Sequence, residues 1–473
     1  MTSRFYISAA HKSSGKTTLS LGLAAALSRQ GLKVQTFKKG PDYIDPMWLR
    51  EASGHPCYNL DFNTMQPDEI RALVSRHLQE ADIGLIEGNK GLFDGMALDL
   101  SNSNAAVARL LETPVILVID AQGMTRGIAP LLLGYQQFDP HLRIGGVILN
   151  KVAGSRHEAK LRETVEHYTD IPVIGAVQRN PELRIDERHL GLVPSNEATG
   201  ARALIDRIAT LIGEQVELSL LRDIAATAPA LPAASTATAT DNRADVRIGI
   251  ARDAAFGFYY PDDLEALERA GATLVPIDTL ADTALPTIDG LFIGGGFPES
   301  CMERLEANAA LRHAIRDAIE AGLPTYAECG GLMYLTRSLR WQNRRAEMVG
   351  VIPADTVMHT RPQGRGYIVL EEQSPHPWGG AAAAGTIAAH EFHYSRLENF
   401  PAGKSRFAYR VVRGSGIDGR HDGYIHRNLL ACYAHLRDTA QYHWAARFVD
   451  FVRRTKTPRH TGEGDETPSG VIK

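Results

Sequence analysis

The chain has 473 residues, of which 44% are hydrophobic, and 51 Lys and Arg residues against 55 Asp and Glu residues give a formal net charge of −4. At about 150 residues per domain, this length predicts a globular protein of two to four domains with ordinary buried cores. The balanced charge gives no support to nucleic acid, an acidic membrane surface or another polyanion as a partner.

Short apolar runs alternate with segments of helical period in the first half of the chain. The runs are RFYIS, KVQTF, IGLIEG, PVILVID and IGGVILN, and helices are predicted near Thr17 to Gln30 and near Pro67 to Glu80. Alternation of this kind over residues 4–217 predicts a largely parallel sheet with helices on both faces. We therefore predict a first α/β domain over residues 1–224.

A change in composition follows this domain. Residues 225–245 are rich in Ala, Thr, Pro and Ser, and this composition predicts a linker because it cannot offset the entropy of ordering. Beyond it, VRIGIA, ATLVPID, GLFIGGG and LPTYAECGG alternate with helices predicted near Pro261 to Ala270 and near Leu305 to Glu320. We therefore predict a second α/β domain over residues 246–455.

The end of the second domain is predicted to be richer in strands. The strand-like segments GYIVL, GTIAAHEF and FAYRVVR precede a last helix near Gln441 to Arg454, and residues 456–473 are polar and rich in Gly and Pro. We expect this tail to be disordered. The fold class predicted for the whole chain is α/β, with two doubly wound, mostly parallel-sheet domains.

Location is predicted from what the sequence does not contain. No run of about 18 or more apolar residues occurs, and the N-terminal residues show no basic region followed by an apolar core. Four cysteines are too few for a disulfide scaffold. We expect a cytoplasmic protein without membrane association.

A phosphate-binding loop is predicted between the first strand and the first helix. Gly15, Lys16, Thr17 and Thr18 follow a strand and open an apolar helix, where free amides and the lysine can bind phosphate and the Thr17 hydroxyl can reach Mg²⁺. The usual motif has a glycine at the position of Ala10, so the bare pattern fails by one residue. The alternative is an ordinary strand, turn and helix with an exposed lysine.

Polar residues at later strand ends support the phosphate interpretation. Glu87 ends an apolar run, so its carboxylate would lie at the carboxyl edge of the sheet and could hold a metal or orient water. Asn150 ends another run and could border a nucleotide base, although a solvated strand end fits equally well. Asp120 is more typical of a turn. The loop FKKGPDYIDP at residues 37–46 is dense in charges, and such loops usually bind something.

A cysteine nucleophile is predicted in the second domain. Cys329 lies between an apolar strand and a predicted helix in AECGG, and small neighbours allow a sharp turn that lifts a nucleophile out of the sheet. The amides of the triple glycine at residues 294–296 could bind an oxyanion. A buried small hydrophobe and a tight turn are the plainer interpretations of these two segments.

A thiolate needs a histidine, and three are available. His435 in ACYAHL is our first choice, with His390 and His393 in HEFHYS as competitors. Two histidines around a glutamate also suggest a metal site, but their spacing differs from the helical zinc motif and no cysteine pair accompanies them.

Together these segments resemble the glutamine-dependent cobyrinate a,c-diamide synthase family from about residue 4 to about residue 452. The shared segments are GKTT, FKKGPDYIDP, NLD, EGNKGLFDG, ERHLGLVP, ARDAAFGFYYPDDL, GGGFPE, AECGGLMYL, HEFHYS and ACYAHL. The combination is far more specific than any one motif.

The resemblance implies a two-step enzyme. A P-loop NTPase-like domain similar to dethiobiotin synthetase uses ATP and Mg²⁺ to phosphorylate a tetrapyrrole carboxylate. A domain similar to the class I glutamine amidotransferases releases ammonia from L-glutamine, which then attacks the acyl phosphate. The implied products are the amides of the a and c side chains of cobyrinate, an intermediate of cobalamin biosynthesis, and the oligomeric state, including a homodimer, is left open.

The resemblance also implies roles for individual residues. In the second domain, Cys329 is the nucleophile and His435 its base. The remaining residues fall into groups for ATP (Gly15, Lys16, Thr17, Thr18, Asn150), metal (Thr17, Glu87, Asp42), the substrate carboxylate (Asp42, Tyr43, Ile44, Asp45, Asp94) and the oxyanion (Gly295, Gly296, Gly330). Arg437 stands where many triads carry a carboxylate, two residues after the histidine, so the group that orients His435 is left open.

Three alternatives remain at this point. The same chemistry could act on sirohaem or another sirohydrochlorin derivative, because NLDFNTM departs after NLD from the expected form. A P-loop switch of the partitioning-ATPase type does not explain the second domain. A glutaminase-like relic would more often have lost its nucleophile. Membership of the related cobyric acid synthases is disfavoured, because those proteins usually carry a different segment in place of KKGPDYIDP.

Overall fold

The computed structural model describes residues 3–183, 185, 187–188, 191–198, 200–232, 244–379, 385–401 and 405–456. Within them the chain builds two large sheets, one in each half, and three small ones. Of the helices in this part of the chain, none combines the length and apolar composition needed to cross a membrane.

Among the described residues, the first half contains seven long strands and eight helices. The strands are β1 (Ser3–Ala9), β2 (Val34–Lys39), β3 (Cys57–Leu60), β4 (Ile83–Glu87), β5 (Val115–Asp120), β6 (Ile144–Val152) and β7 (Val173–Gln178). The helices are α1 (Lys16–Arg29), α2 (Ile44–Ser53), α3 (Pro67–Leu78), α4 (Asn104–Leu110), α5 (Ile128–Phe138), α6 (Ser155–Tyr168), α7 (Ala201–Gln215) and α8 (Leu218–Ala226). A 3₁₀ turn (Pro181–Leu183) and a short hairpin, β8 (Glu187–Arg188) and β9 (Gly191–Leu192), lie before α7.

The first sheet is entirely parallel, in the order β3-β2-β4-β1-β5-β6-β7. Its strands are buried on both faces, which requires continuous apolar runs rather than alternation. Phe5 and Ile7 point into the apolar core on one face, and Tyr6 points into the core on the other. This is the doubly wound arrangement that the sequence predicts.

Where the structure describes it, the second half contains fifteen further strands and five helices. The strands are β10 (Val246–Ala251), β11 (Phe256–Phe258), β12 (Ala272–Ile277), β13 (Gly290–Ile293), β14 (Gly295–Gly296), β15 (Thr325–Glu328), β16 (Thr336–Trp341), β17 (Arg344–Glu347), β18 (Ile352–Met358), β19 (Gly364–Glu372), β20 (Thr386–His393), β21 (Ser395–Glu398), β22 (Arg406–Arg413), β23 (His421–His426) and β24 (Leu429–Cys432). The helices are α9 (Pro261–Arg269), α10 (Met302–Ala307), α11 (Ala309–Glu320), α12 (Gly330–Leu335) and α13 (Trp444–Thr455), with a 3₁₀ turn at Pro298–Cys301.

The second large sheet is mixed. Its order is β12-β10-β13-β15-β24-β23-β22-β19-β20, with parallel pairing from β12 to β24 and antiparallel pairing from β24 to β20. A four-stranded sheet, β17-β16-β18-β21, and the pair β11-β14 flank it. The parallel part carries the predicted nucleophile and histidine at its carboxyl edge.

Most predicted elements are present, and two differ. The helix predicted near Leu305 to Glu320 is two helices, because Asn308 ends α10 and its side chain caps α11. The last helix begins at Trp444 rather than near Gln441.

The predicted domain boundaries stay a prediction. Of residues 225–245, the structure describes 225–232 and 244–245; Pro229 O accepts a hydrogen bond from Arg4, and Pro232 O accepts one from Ser75. The rest of the predicted linker and residues 457–473 of the predicted tail lie outside the described residues.

Candidate active site

The loop between β1 and α1 has the shape that a phosphate-binding loop requires. Gly15 precedes α1 with a φ of 89°, in the left-handed region that favours glycine. A Cβ at Gly15 would lie 2.2 Å from Asn150 Nδ2, and this amide donates a 2.7 Å hydrogen bond to Ser14 O. Asn150 therefore supports the loop from the end of β6, a role that the sequence did not suggest.

Lys16, Thr17 and Thr18 form the first turn of α1, where backbone amides lack helical partners. Lys16 is buried, and burial lowers its pKa, although Glu87 acts in the opposite direction. The Thr17 hydroxyl donates a 2.8 Å hydrogen bond to Oε1 of Glu87, which is the last residue of β4. The parallel sheet thus brings the predicted phosphate and metal residues to one edge.

A buried lysine stands at the centre of this edge. Lys38 Nζ lies 2.6 Å from Asp45 Oδ2 and 3.0 Å from Glu87 Oε1. Burial lowers the pKa of Lys38, but the two carboxylates raise it by more, so it lies well above its usual value. Burial raises the pKa of Glu87, whose Oε2 has no hydrogen-bond partner within the described part of the chain. Lys38 was not among the predicted site residues, although FKKGPDYIDP carried the signal.

Asp42 lies two residues before the start of α2 and is half-buried beside this cluster. Its Oδ1 accepts hydrogen bonds from the amides of Ile44 (2.9 Å) and Asp45 (3.1 Å). Burial, followed by repulsion from Asp45, raises the pKa of Asp42 to about 7. Asn59 Nδ2 donates to the carbonyls of Gly40 and Asp42, each at 2.7 Å, and so fixes the loop that carries Asp42.

Asp94 lies in a neighbouring cavity of about 450 Å³. Its Oδ2 accepts a hydrogen bond from Gly91 N at 2.8 Å. Two lysines, Lys39 and Lys90, line the same cavity together with Tyr367 from the second half of the chain. Burial lowers the pKa of Lys39 to about 8. The sequence predicted Asp94 but not the basic residues around it.

Cys329 lies at a sharp turn between β15 and α12. Its φ of 46° and ψ of −99° are strained for a residue with a side chain, and its amide donates a 2.7 Å hydrogen bond to Cys432 O. The following glycines are required by packing: a Cβ at Gly330 would lie 2.8 Å from Gly296 N, and one at Gly331 would lie 2.1 Å from Ile293 O. The structure thus has the predicted nucleophile turn.

His435 follows β24, the parallel neighbour of β15, and lies beside Cys329. Its Nδ1 lies 3.4 Å from Glu328 Oε2. Burial alone would lower the pKa of His435, but the interactions with the Cys329 and Glu328 side chains outweigh it and raise the pKa to about 10. Glu328 was not among the predicted site residues.

The competing histidines contact other groups, although His390 lines the same cavity as Cys329 and His435. The ring of His390 stacks on that of His435 at 4.7 Å, and its Nδ1 faces the Tyr260 hydroxyl at 3.2 Å. His393 Nδ1 faces Ser395 O at 2.8 Å. The described residues contain no group of three or more His, Cys, Asp or Glu side chains placed to hold a metal ion.

The predicted oxyanion glycines and the acceptor loop meet at one cavity. Gly295 and Gly296 form β14, and Gly296 lines a cavity of about 190 Å³ together with Cys329 and His435. Gly330 follows Cys329 directly, with its backbone close to that of Gly296. Asp42, Tyr43 and Ile44 line the same cavity.

Arg437 also joins the two halves of the chain. It donates hydrogen bonds to Asn59 O at 2.6 Å and to Asp262 Oδ2 at 2.8 Å, and its guanidinium lies 4.7 Å from the ring centre of Tyr260. Asn59 in turn holds the Asp42 loop. The residue at the usual triad carboxylate position therefore connects the His435 segment to the acceptor loop.

Comparisons with known proteins identify both halves. Residues 7–193 match the CobQ/CobB/MinD/ParA nucleotide binding domain, and residues 247–441 match the CobB/CobQ-like glutamine amidotransferase domain. The chain is 46% identical over 456 residues to the cobyrinate a,c-diamide synthase of Magnetococcus marinus, covering 95% of this chain and 97% of that protein. It is 40% identical to the proteins of that name from Methanosarcina acetivorans and Archaeoglobus fulgidus, covering 96% and 93% of this chain and 97% and 96% of those proteins.

The chain belongs to the cobyrinate a,c-diamide synthase family. The resemblance seen in the sequence is thereby confirmed, as is the predicted fold class. Members of this family are glutamine-dependent ligases, and the nucleotide-binding and amidotransferase domains are both present here.

The solved structures that match cover only part of the chain. A glutamine amidotransferase crystal structure (16% identity, TM-score 0.33) and PurLQS from Thermotoga maritima (15% identity, TM-score 0.34) each match 44% of this chain and 98% of their own.

Proposed function

We propose that this protein converts the a and c side-chain carboxylates of cobyrinate into amides, using ATP and L-glutamine. The observation that carries the proposal is the cavity of about 190 Å³ that is lined by Cys329 and His435 and also by the Asp42 to Ile44 segment. A nitrogen donor site and an acceptor site that share a cavity suit a reaction in which ammonia moves from one to the other. The relatives' shared name supports the choice of acceptor.

The phosphate side of the reaction is assigned to the first sheet. Lys16 and the amides that begin α1 bind the phosphates of ATP, and Thr17, Glu87 and Asp42 provide oxygen ligands suited to Mg²⁺. The unpartnered Glu87 Oε2 and the adjacent Thr17 hydroxyl fit such an ion. When bound, Mg²⁺ neutralises charge on the phosphates as the γ-phosphoryl group passes to the substrate carboxylate. Lys38 holds the carboxylates of Asp45 and Glu87 in place through its two ion pairs.

The acceptor is assigned to the cavity of Asp94. Lys39 and Lys90 provide two cations that can pair with carboxylates of a tetrapyrrole, beside Asp61 and Asp94 in the same lining, and Tyr367 lines the cavity from the second half of the chain. The adjoining acceptor loop, Asp42 to Asp45, places the reacting carboxylate between the phosphate loop and the 190 Å³ cavity. A carboxylate is a poor electrophile, and phosphorylation turns one of its oxygens into a leaving group.

Ammonia is released in the second half. The Cys329 thiolate attacks the amide carbon of glutamine, and the amides around Gly295, Gly296 and Gly330 stabilise the oxyanion. His435 gives its proton to the departing nitrogen, which leaves as ammonia, and a thioester remains on Cys329. Water then hydrolyses the thioester to glutamate. Ammonia attacks the acyl phosphate, and the amide forms as phosphate leaves.

Purified protein incubated with ATP, Mg²⁺ and glutamine tests the choice of acceptor. Mass spectrometry should show replacement of two hydroxyl groups by amino groups on cobyrinate, and none without ATP. Modification only of sirohaem or a sirohydrochlorin derivative would keep the chemistry and overturn the substrate. No modification of any of them, with ATP hydrolysis retained, would favour the partitioning-type switch.

We further propose that the reaction takes place in the cytoplasm. All four cysteines are buried and none of them forms a disulfide, as expected for a reducing compartment. Glutamine and the tetrapyrrole are the proposed partners, with neither nucleic acid nor a membrane involved. A homodimer remains a prediction that sedimentation of the purified protein would test.

A further inference from the structure

Arg437 occupies the position at which many triads carry a carboxylate, so another group must orient His435. Orientation matters because the imidazole must present Nε2 to the thiol while its Nδ1 carries the other proton. The side chain of Arg437 cannot supply a carboxylate, and it is directed to Asp262 and to Asn59 O.

We propose that Glu328, the residue immediately before the nucleophile, holds His435 in its working orientation and tautomer. Glu328 is buried at the end of β15, and its Oε2 faces His435 Nδ1 at 3.4 Å. The parallel pairing of Glu328 with Cys432 places the glutamate beside the segment that leads to His435. The proposal deepens, and rests on, the proposed glutaminase function.

The other carboxylate oxygen is fixed by two donors. Glu328 Oε1 accepts a 2.5 Å hydrogen bond from the Tyr326 hydroxyl and a 2.9 Å hydrogen bond from Leu436 N. The second donor is the residue next to His435, so the glutamate constrains both the ring and the backbone of the histidine segment. A carboxylate held by two hydrogen bonds has little freedom to rotate away from Nδ1.

Asp42 also lines the cavity of His435, but its Oδ1 accepts hydrogen bonds from the amides of Ile44 and Asp45, and the remaining residues that line the cavity around His435 carry no carboxylate. His390 stacks on its ring, Tyr43 lies 5.2 Å away between ring centres, and Cys329 is the group to be activated. Burial, with His435 and Arg437 acting in the same direction, keeps the pKa of His390 well below its usual value, so this ring is neutral. Glu328 is therefore the carboxylate that the geometry assigns to the task.

The variant Glu328→Gln tests the proposal. Its amide can direct NH₂ towards Nδ1 and so favour the wrong histidine tautomer, a change that lowers kcat by about 10⁴-fold in a serine protease triad. We expect glutaminase kcat to fall by about 100-fold or more, with KM for glutamine little changed and ammonia-dependent amidation within about twofold of wild type. Tyr326→Phe is the matched control, since it removes one hydrogen bond to Glu328 but keeps the carboxylate, and it should lose less than about 10-fold.

Two further readouts separate positioning from a structural role. The pH profile of Cys329 alkylation by iodoacetamide should move to higher pH in Glu328→Gln, because the imidazolium that stabilises the thiolate is weakened. In a His435→Ala background, Glu328→Gln should cause no further loss, since it acts through the histidine.

The outcomes are distinguishable. Wild-type glutaminase kcat and an unchanged alkylation profile in Glu328→Gln would overturn the role of Glu328, as would an additive loss in the double variant. Absence of glutaminase activity in the wild-type protein would instead overturn the proposed function.

Discussion

Replacing Lys38 with Met removes the single cation that touches both Asp45 and Glu87 in the described structure. Lys38 is buried, and its Nζ lies within 3.0 Å of both carboxylates. Met is close in volume, so the change removes charge with little loss of packing. The variant therefore measures what the lysine contributes to a buried acidic cluster.

The expected loss of stability follows from leaving the buried carboxylates of Asp45 and Glu87 without their cation. Breaking a buried ion pair by removing one partner costs about 3–5 kcal/mol, and we expect the free energy of unfolding to fall by that amount near neutral pH. Lys38 lowers the pKa of Glu87 and Asp42, so its removal raises both further. A carboxyl group whose pKa is raised in the folded state destabilises that state. This destabilisation grows as the pH rises above the pKa that the same group has in the unfolded chain. The loss should therefore be larger at about pH 8 than at about pH 5.

Urea unfolding at both pH values measures this difference, with Lys39→Met as the matched control. Lys39 is the next residue of β2, is also buried, and makes no ion pair among the described residues. Its replacement should cost less than about 1 kcal/mol, because its burial already lowers the pKa of the amine to about 8. Equal losses in the two variants, or a Lys38→Met loss that does not grow with pH, would refute the reasoning.

Three further predictions concern the division of labour between the two halves. Cys329→Ala should abolish amidation with glutamine but leave amidation with ammonium salts within about twofold, and loss of both would contradict two separate sites. Lys16→Ala should remove amidation with either nitrogen source while glutaminase activity remains; retained ammonia-dependent synthesis would contradict the ATP assignment. Arg437→Met should leave Cys329 reactive but raise the ratio of glutamine hydrolysed to amide formed, because the contact with Asn59 O that joins the acceptor loop to His435 is lost. An unchanged ratio would show that this contact does not couple the sites.

The sequence predicted features that depend on local pattern. The phosphate loop and the Cys329 turn were visible because a strand, small residues and a helix follow one another in the chain. The continuous apolar runs predicted the parallel sheets for the same reason.

Features that depend on contacts between distant segments were not visible. Glu328 has no motif of its own, and its role depends on the pairing of β15 with β24, about which the sequence says nothing. Lys38 is one of several charged residues in FKKGPDYIDP, and the sequence does not show which of them lies between Asp45 and Glu87 in the fold. The 190 Å³ cavity joins segments from both halves, so no local pattern could predict it.

The central claim is that ammonia formed at Cys329 reaches the acceptor through the shared cavity. The most direct test supplies glutamine labelled with ¹⁵N in its amide together with an excess of unlabelled ammonium, and measures the isotope content of the amidated product. Transfer through the cavity predicts that the product keeps nearly all of the label. Dilution of the label to the isotope ratio of the bulk ammonia would contradict it.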